Sequence, residues 1–212
     1  MSTPFDIEPG APPLIAILRG LAPEQAAEVG ALLYRAGFRI LEVPLNRPHA
    51  LRTIELLAGS VPAGTLVGGG TVLTSQDVDA VAAAGGRLIV SPDSNAEVIR
   101  KTRQQGLWSL PGAATPTEAF AAMRAGAHAV KAFPAESLPA AVIKAWRSVL
   151  PAGIGIYPVG GITPEAILSY RLQHTGVDGF GLGSALFVPG MAMEELDRRA
   201  RRFVAAWSEP CA

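Results

Sequence analysis

The chain has 212 residues, 49% of them hydrophobic, and its 18 Lys plus Arg are matched by 18 Asp plus Glu. That length suits one domain with a large core, and zero net charge with no basic run argues against nucleic acid or a membrane surface as partner. The one cysteine, Cys211, leaves no intrachain disulfide and no cysteine metal cluster. Residues 1–10 carry Asp6 and Glu8 but no basic stretch leading into an apolar one. The expectation is a soluble cytoplasmic protein with no signal peptide and no membrane span.

Eight short apolar runs follow one another along the chain. They are LIAIL (14–18), RILEVPL (39–45), TLVGGGT (65–71), RLIVSP (87–92), LWSLPGA (107–113), AVKAFP (129–134), GIYPVGG (155–161) and GFGLGSAL (179–186). Their starts lie about 20 to 26 residues apart, the span of a compact βα unit. Little polar alternation runs through them, as expected of parallel strands covered on both faces.

Helix signals fall between the runs. In chain order they are Ala22-Pro23-Glu24, with Pro at the first helical position; Ser94 with Glu97, read as a capping box; Thr115-Pro116-Thr117-Glu118, a second capping box; and Thr163-Pro164-Glu165. Gly37, Gly85, Gly106 and Gly126 follow helical stretches, where a left-handed cap favours glycine. Eight βα units predict an α/β fold: a (β/α)₈ TIM barrel, one domain over residues 1–212. It has an N-terminal extension over about 1–12 and a last helix over about 191–208. A doubly wound open sheet is the alternative.

In such a barrel chemistry collects at the C-terminal ends of the strands. The residues there are Arg19; Glu42 and Asn46; Gly69, Gly70 and Thr71; Ser91 and Pro92; Pro111 and Gly112; Lys131; Gly160 and Gly161; and Gly183 and Ser184. Two of them are charges inside apolar runs, Lys131 in AVKAFP and Glu42 in ILEVP. A buried ammonium without a partner is costly, so its pKa falls, and the neutral amine can attack a carbonyl to form a Schiff base. Glu42 is the candidate partner and proton carrier; a purely structural buried ion pair is the bland alternative. Val159-Gly160-Gly161-Ile162-Thr163-Pro164 and Gly181-Leu182-Gly183-Ser184 end the seventh and eighth runs, where barrels hold phosphate on backbone N–H groups and a helix N-terminus.

Other features carry less. His49, His128 and His174 are scattered and form no metal pattern. Trp108 and Phe133 read as packing, and Arg198, Arg199, Arg201 and Arg202 read as the solvated face of the last helix.

Four segments carry a resemblance: Leu14-Ile15-Ala16-Ile17-Leu18-Arg19-Gly20, Glu42-Val43-Pro44-Leu45-Asn46, Gly69-Gly70-Thr71-Val72-Leu73 and Val130-Lys131-Ala132-Phe133-Pro134. Together they resemble the 2-keto-3-deoxy-6-phosphogluconate/galactonate aldolases, over about Leu14 to Gly190. The resemblance implies a class I aldolase on a (β/α)₈ barrel, commonly a homotrimer, with no metal or other cofactor. It would split a phosphorylated 2-keto-3-deoxy acid into pyruvate and D-glyceraldehyde 3-phosphate. By position, Lys131 matches the Schiff-base lysine and Glu42 the general acid/base, while Thr71, with the backbone near Gly70, matches the site that holds carboxylate and water. Arg19, Gly160, Gly161, Gly183 and Ser184 match positions that contact substrate or phosphate, and Pro92 lies at a strand end that lines the pocket. Asn46 and Val159 stand where gluconate-type members tend to have Arg and Thr, which favours the galactonate-type branch; Phe133-Pro134-Ala135-Glu136 looks more like the gluconate type. A phosphosugar isomerase, epimerase or decarboxylase, or a non-catalytic sugar-phosphate sensor, are the rival readings at this stage.

Overall fold

Strands and helices alternate along the computed structural model, which describes residue 5 and residues 7–209; Cys211 lies outside them. The strands are β1 Leu14–Ile17, β2 Ile40–Pro44, β3 Leu66–Gly70, β4 Leu88–Val90, β5 Trp108–Leu110, β6 Gly112–Ala113, β7 Ala129–Ala132, β8 Gly155–Pro158 and β9 Phe180–Leu182. The helices are α1 Ala26–Ala36, α2 Ala50–Ser60, α3 Ser75–Ala83, α4 Ala96–Gln104, α5 Pro116–Ala125, α6 Ala140–Val149, α7 Pro164–Leu172 and α8 Met193–Ser208. Each of the eight apolar runs holds a strand, and the fifth holds two.

All named pairings are parallel. One sheet has the order β5-β4-β3-β2-β1-β9 and the other β6-β7-β8. The order is sequential, with the last strand returning beside the first, unlike the reversing order of a doubly wound sheet. Pro111 separates β5, which pairs with β4, from β6, which pairs with β7. At the other margin a bridge from Val159 to Gly181 joins the chain just past β8 to β9.

Side-chain alternation along these strands produces two cores. Leu14, Ala16, Leu41, Val43, Val130, Ala132, Ile156 and Leu182 face the helices and belong to the larger cluster. Their neighbours Ile15, Ile17, Ile40, Leu66, Leu88, Val90, Leu110, Ala129, Tyr157 and Val159 form a second cluster on the concave side of the curled sheet, with Phe5 and Ile7. Lys131 is two residues beyond Ala129 and Glu42 two beyond Ile40, so both share that inner face, one layer nearer the strand C-termini.

The helix ends explain several boundaries. Thr115 and Glu118 form the expected capping box at α5, and Thr163 caps α7. Gly37 and Gly126 adopt the left-handed cap after α1 and α5. The box read at Ser94 is not present: Asn95 is the cap of α4, its side chain accepting from the Glu97 N–H at 2.9 Å. A capping box that the sequence reading passed over joins Thr74 and Asp77 at α3. Pro23 opens a short 3₁₀ turn, and α1 begins only at Ala26. The last helix starts at Met193, two residues later than expected. Among the described residues no helix is long and apolar enough to cross a membrane.

His128 supplies a pH handle at the end of the sheet remote from the site. Its Nδ1 accepts from the Ser109 N–H at 3.1 Å, its other ring nitrogen faces the Arg103 guanidinium, and its ring packs against Trp108. Burial, with Arg103 adding to it, pushes its pKa down to about 4. The unfolded chain, with an ordinary histidine pKa near ~6.5, binds this proton more readily. Stability from this group is therefore full above about pH 6.5 and falls as pH drops toward about 4. In thermal melts from pH 8 to 4, His128→Gln should lose less of its Tm on acidification than the wild type; equal losses would assign the acid sensitivity elsewhere.

Candidate active site

One cavity of about 360 Å³ opens at the C-terminal ends of the strands. Arg19, Glu42, Thr71, Pro92, Lys131, Val159, Gly160, Gly161, Gly183 and Ser184 all line it. Seven separate strand ends thus deliver the expected residues to one place. Gly183 and Ser184 follow β9 rather than lying in it.

Lys131 and Glu42 are the buried charges of the cavity, 7% and 3% exposed. Burial pushes the Lys131 ammonium down, and Arg19 pushes it the same way, against the opposing pull of Glu42. Burial raises the Glu42 carboxyl, against the fields of Lys131 and Arg19. Both groups are thus pushed toward their neutral forms, an amine and a carboxylic acid. Lys131 Nζ lies 4.5 Å from the centre of the Phe133 ring, so Phe133 is part of the cavity wall and not merely packing.

The backbone beneath these side chains is specific. A methyl group on Gly70 would overlap the Glu42 carboxylate, so Gly70 is the floor against which Glu42 rests rather than a lining residue. Thr71 has φ +54°, a left-handed conformation that costs a β-branched residue about 1–2 kcal/mol. Strain of this kind collects at functional sites, and here it occurs in a residue of the cavity wall. Gly160 and Gly161 also have positive φ, 111° and 62°.

Gly70 and Asn46 do not themselves line this cavity. Asn46 is exposed beyond β2 and accepts a hydrogen bond from Arg19 Nη1 at 2.7 Å. In the other direction, Glu136 lines the cavity and was not singled out from sequence. It lies on a short 3₁₀ turn, Ala135–Ser137, and its side chain packs so closely on Gly160 and Gly161 that a Cβ at either would collide with it. Its one sequence signal was the FPAE tetrapeptide. The arginines of α8 pair with Glu195, Asp197 and Glu165, as a solvated face should. Arg199 does more: Nη1 reaches the Ser184 carbonyl at 3.2 Å and braces the loop after β9. Among the described residues no group of three or more His, Cys, Asp or Glu could hold a metal ion.

The curled parallel sheet thus presents a buried lysine and a buried carboxyl to one cavity. The family model for KDPG and KHG aldolase matches residues 11–199, and the chain belongs to that family. It is a carbon–carbon lyase. The chain is 46% identical over 195 residues to a protein of Rhizobium meliloti (strain 1021) named probable 2-dehydro-3-deoxy-6-phosphogalactonate aldolase, covering 92% of this chain and 91% of that one. It is 43% identical over 198 residues to the 2-dehydro-3-deoxy-6-phosphogalactonate aldolase of Escherichia coli (strain K12), covering 93% and 95%. A solved structure described as native KDPGal superimposes with a TM-score of 0.89 at 42% identity, covering 92% of this chain and 94% of that one.

Proposed function

We propose that the protein cleaves 2-dehydro-3-deoxy-6-phosphogalactonate to pyruvate and D-glyceraldehyde 3-phosphate through an imine on Lys131. The observation that carries this reading is the convergence of Lys131 and Glu42, both buried and both held toward neutrality, on one cavity rimmed by Gly160-Gly161 and Gly183-Ser184.

Lys131 Nζ attacks the C2 ketone and water is lost, giving an iminium ion. The iminium draws the C3–C4 bonding pair toward itself as Glu42 takes the proton of the C4 hydroxyl, directly or through a water held by Thr71. The C3–C4 bond breaks and the aldehyde leaves. Glu42 returns a proton to C3 of the enamine, and hydrolysis frees pyruvate and Lys131. Backbone at Gly160, Gly161, Gly183 and Ser184 holds the phosphate, which fixes the chain so that C4 faces Glu42. Arg19 serves the carboxylate end and Pro92 closes the wall. The two sheets act as one closed (β/α)₈ barrel, joined through residues 108–113 and the Val159–Gly181 bridge. We further read the chain as one domain that works in the cytoplasm as a homotrimer without a metal.

The galactonate epimer is favoured by the two relatives that carry its name and by Val159 in the cavity wall. A hydroxyl at that position could bond the C4 oxygen in one configuration, and valine removes the option. A site built to bond a hydroxyl discriminates more strongly than an apolar contact. Wild-type enzyme should therefore show the higher kcat/KM on the galactonate epimer when both C4 epimers are assayed side by side. Val159→Thr should move the ratio about tenfold toward the gluconate epimer. A wild type that prefers the gluconate epimer would overturn the substrate assignment.

A further inference from the structure

Asn46 stands at the mouth of the site without lining the cavity, and its side chain is tied to one that does. Arg19 and Lys131 are the two basic residues in the cavity wall. Arg19 shares that wall with both Lys131 and Glu42. Arg19 also borders a second, larger cleft of about 1020 Å³ that it shares with Arg47, His49 and Arg52. An exposed arginine has many rotamers, and this one has two open spaces to fill. The 2.7 Å bond from Arg19 Nη1 to Asn46 Oδ1 selects among them.

A 2-keto acid bound as an imine on Lys131 carries its C1 carboxylate on the carbon that bears the lysine nitrogen. The carboxylate therefore lies within a few ångströms of Nζ and needs a cation that does not depend on the state of Lys131, because Lys131 must be neutral to attack. Arginine keeps its charge at every working pH. Asparagine is suited to hold it: an amide oxygen accepts the guanidinium hydrogen bond without cancelling its charge, as a carboxylate would.

We propose that Asn46 is a positioning residue, whose side-chain oxygen holds the Arg19 guanidinium over the cavity as the standing cation for the substrate's C1 carboxylate. This rests on the imine reading above and assigns to Arg19, through Asn46, the carboxylate half of substrate recognition.

The test uses the full chain with pyruvate, which has the carboxylate and lacks the phosphate. Borohydride trapping at increasing pyruvate gives a half-saturation concentration and a maximal adduct. Asn46→Ala should raise the half-saturation about tenfold, the scale of a lost hydrogen bond to a charged group, and leave the maximal adduct unchanged. Arg19→Ala should raise it at least as far. The double variant should be no worse than Arg19→Ala alone, because Asn46 then has nothing left to hold. Additive losses would mean that Asn46 contacts substrate itself and would overturn the proposal, as would an Asn46→Ala half-saturation within twofold of wild type. Absence of any adduct in the wild type would instead defeat the imine reading, and this inference with it.

Discussion

Replacing Lys131 by methionine should abolish cleavage, by about 10⁴–10⁶-fold, the range seen when a covalent nucleophile is removed from machinery that acts as a unit. Methionine matches the length of the buried stem and removes the amine; losing Lys131 pushes the buried Glu42 carboxyl further toward its neutral form, so the inner core should tolerate the change. Mass analysis of wild-type enzyme after pyruvate and borohydride should place one pyruvate-derived adduct on the Lys131 peptide, and the variant should gain none. An adduct on Lys101 or Lys144 would defeat the assignment. Those two are poor rivals on structural grounds. Lys101 is paired with Asp79 at 2.8 Å, and Lys144 donates to the Gln173 carbonyl at 3.2 Å, on helices α4 and α6.

Glu42→Gln should separate binding from proton transfer. The amide is close in shape and fits above Gly70 as the carboxylate does, but it cannot shuttle a proton. Turnover should fall by about 10²–10⁴-fold, while pyruvate is still trapped on Lys131. The pH profile gives a second readout. Because burial raises the Glu42 carboxyl, the acid limb of wild-type kcat/KM should lie above the ordinary carboxylate range. A variant that cleaves at near wild-type rate would move the proton-carrying role to another group, and Glu136 is the other carboxylate in the cavity wall.

The strands were legible because hydrophobic burial on both faces leaves apolar runs that little else produces. Lys131 and Glu42 stood out for the same reason, as charges interrupting those runs. What could not be read depended on choices between near-equal local partners or on contacts distant in sequence. Ser94 and Asn95 are both good helix caps, and only the backbone angles decide that Asn95 takes the role. Glu136 is exposed and sits on a 3₁₀ turn, so no periodicity marks it; only the approach of that turn to Gly160 brings it into the wall. Asn46 could be placed near the site from its position after a strand, but whether it faces substrate or Arg19 depends on a side chain 27 residues away.

The break at Pro111 has a consequence for how the reactive groups keep their spacing. Lys131 belongs to the sheet of β6, β7 and β8, and Glu42 to the sheet that contains β2. Gly112 is the register partner of Lys131, and its bare Cα is pressed against the carbonyl of Pro92, which lines the cavity. The spacing between the strand that carries Lys131 and the chain after β4 is thus gauged on this flank by main chain laid on main chain. Such a gauge is rigid and cannot be retuned in small steps. Adding a single methyl at residue 112 would act as a wedge between Pro92 and the strand beside Lys131.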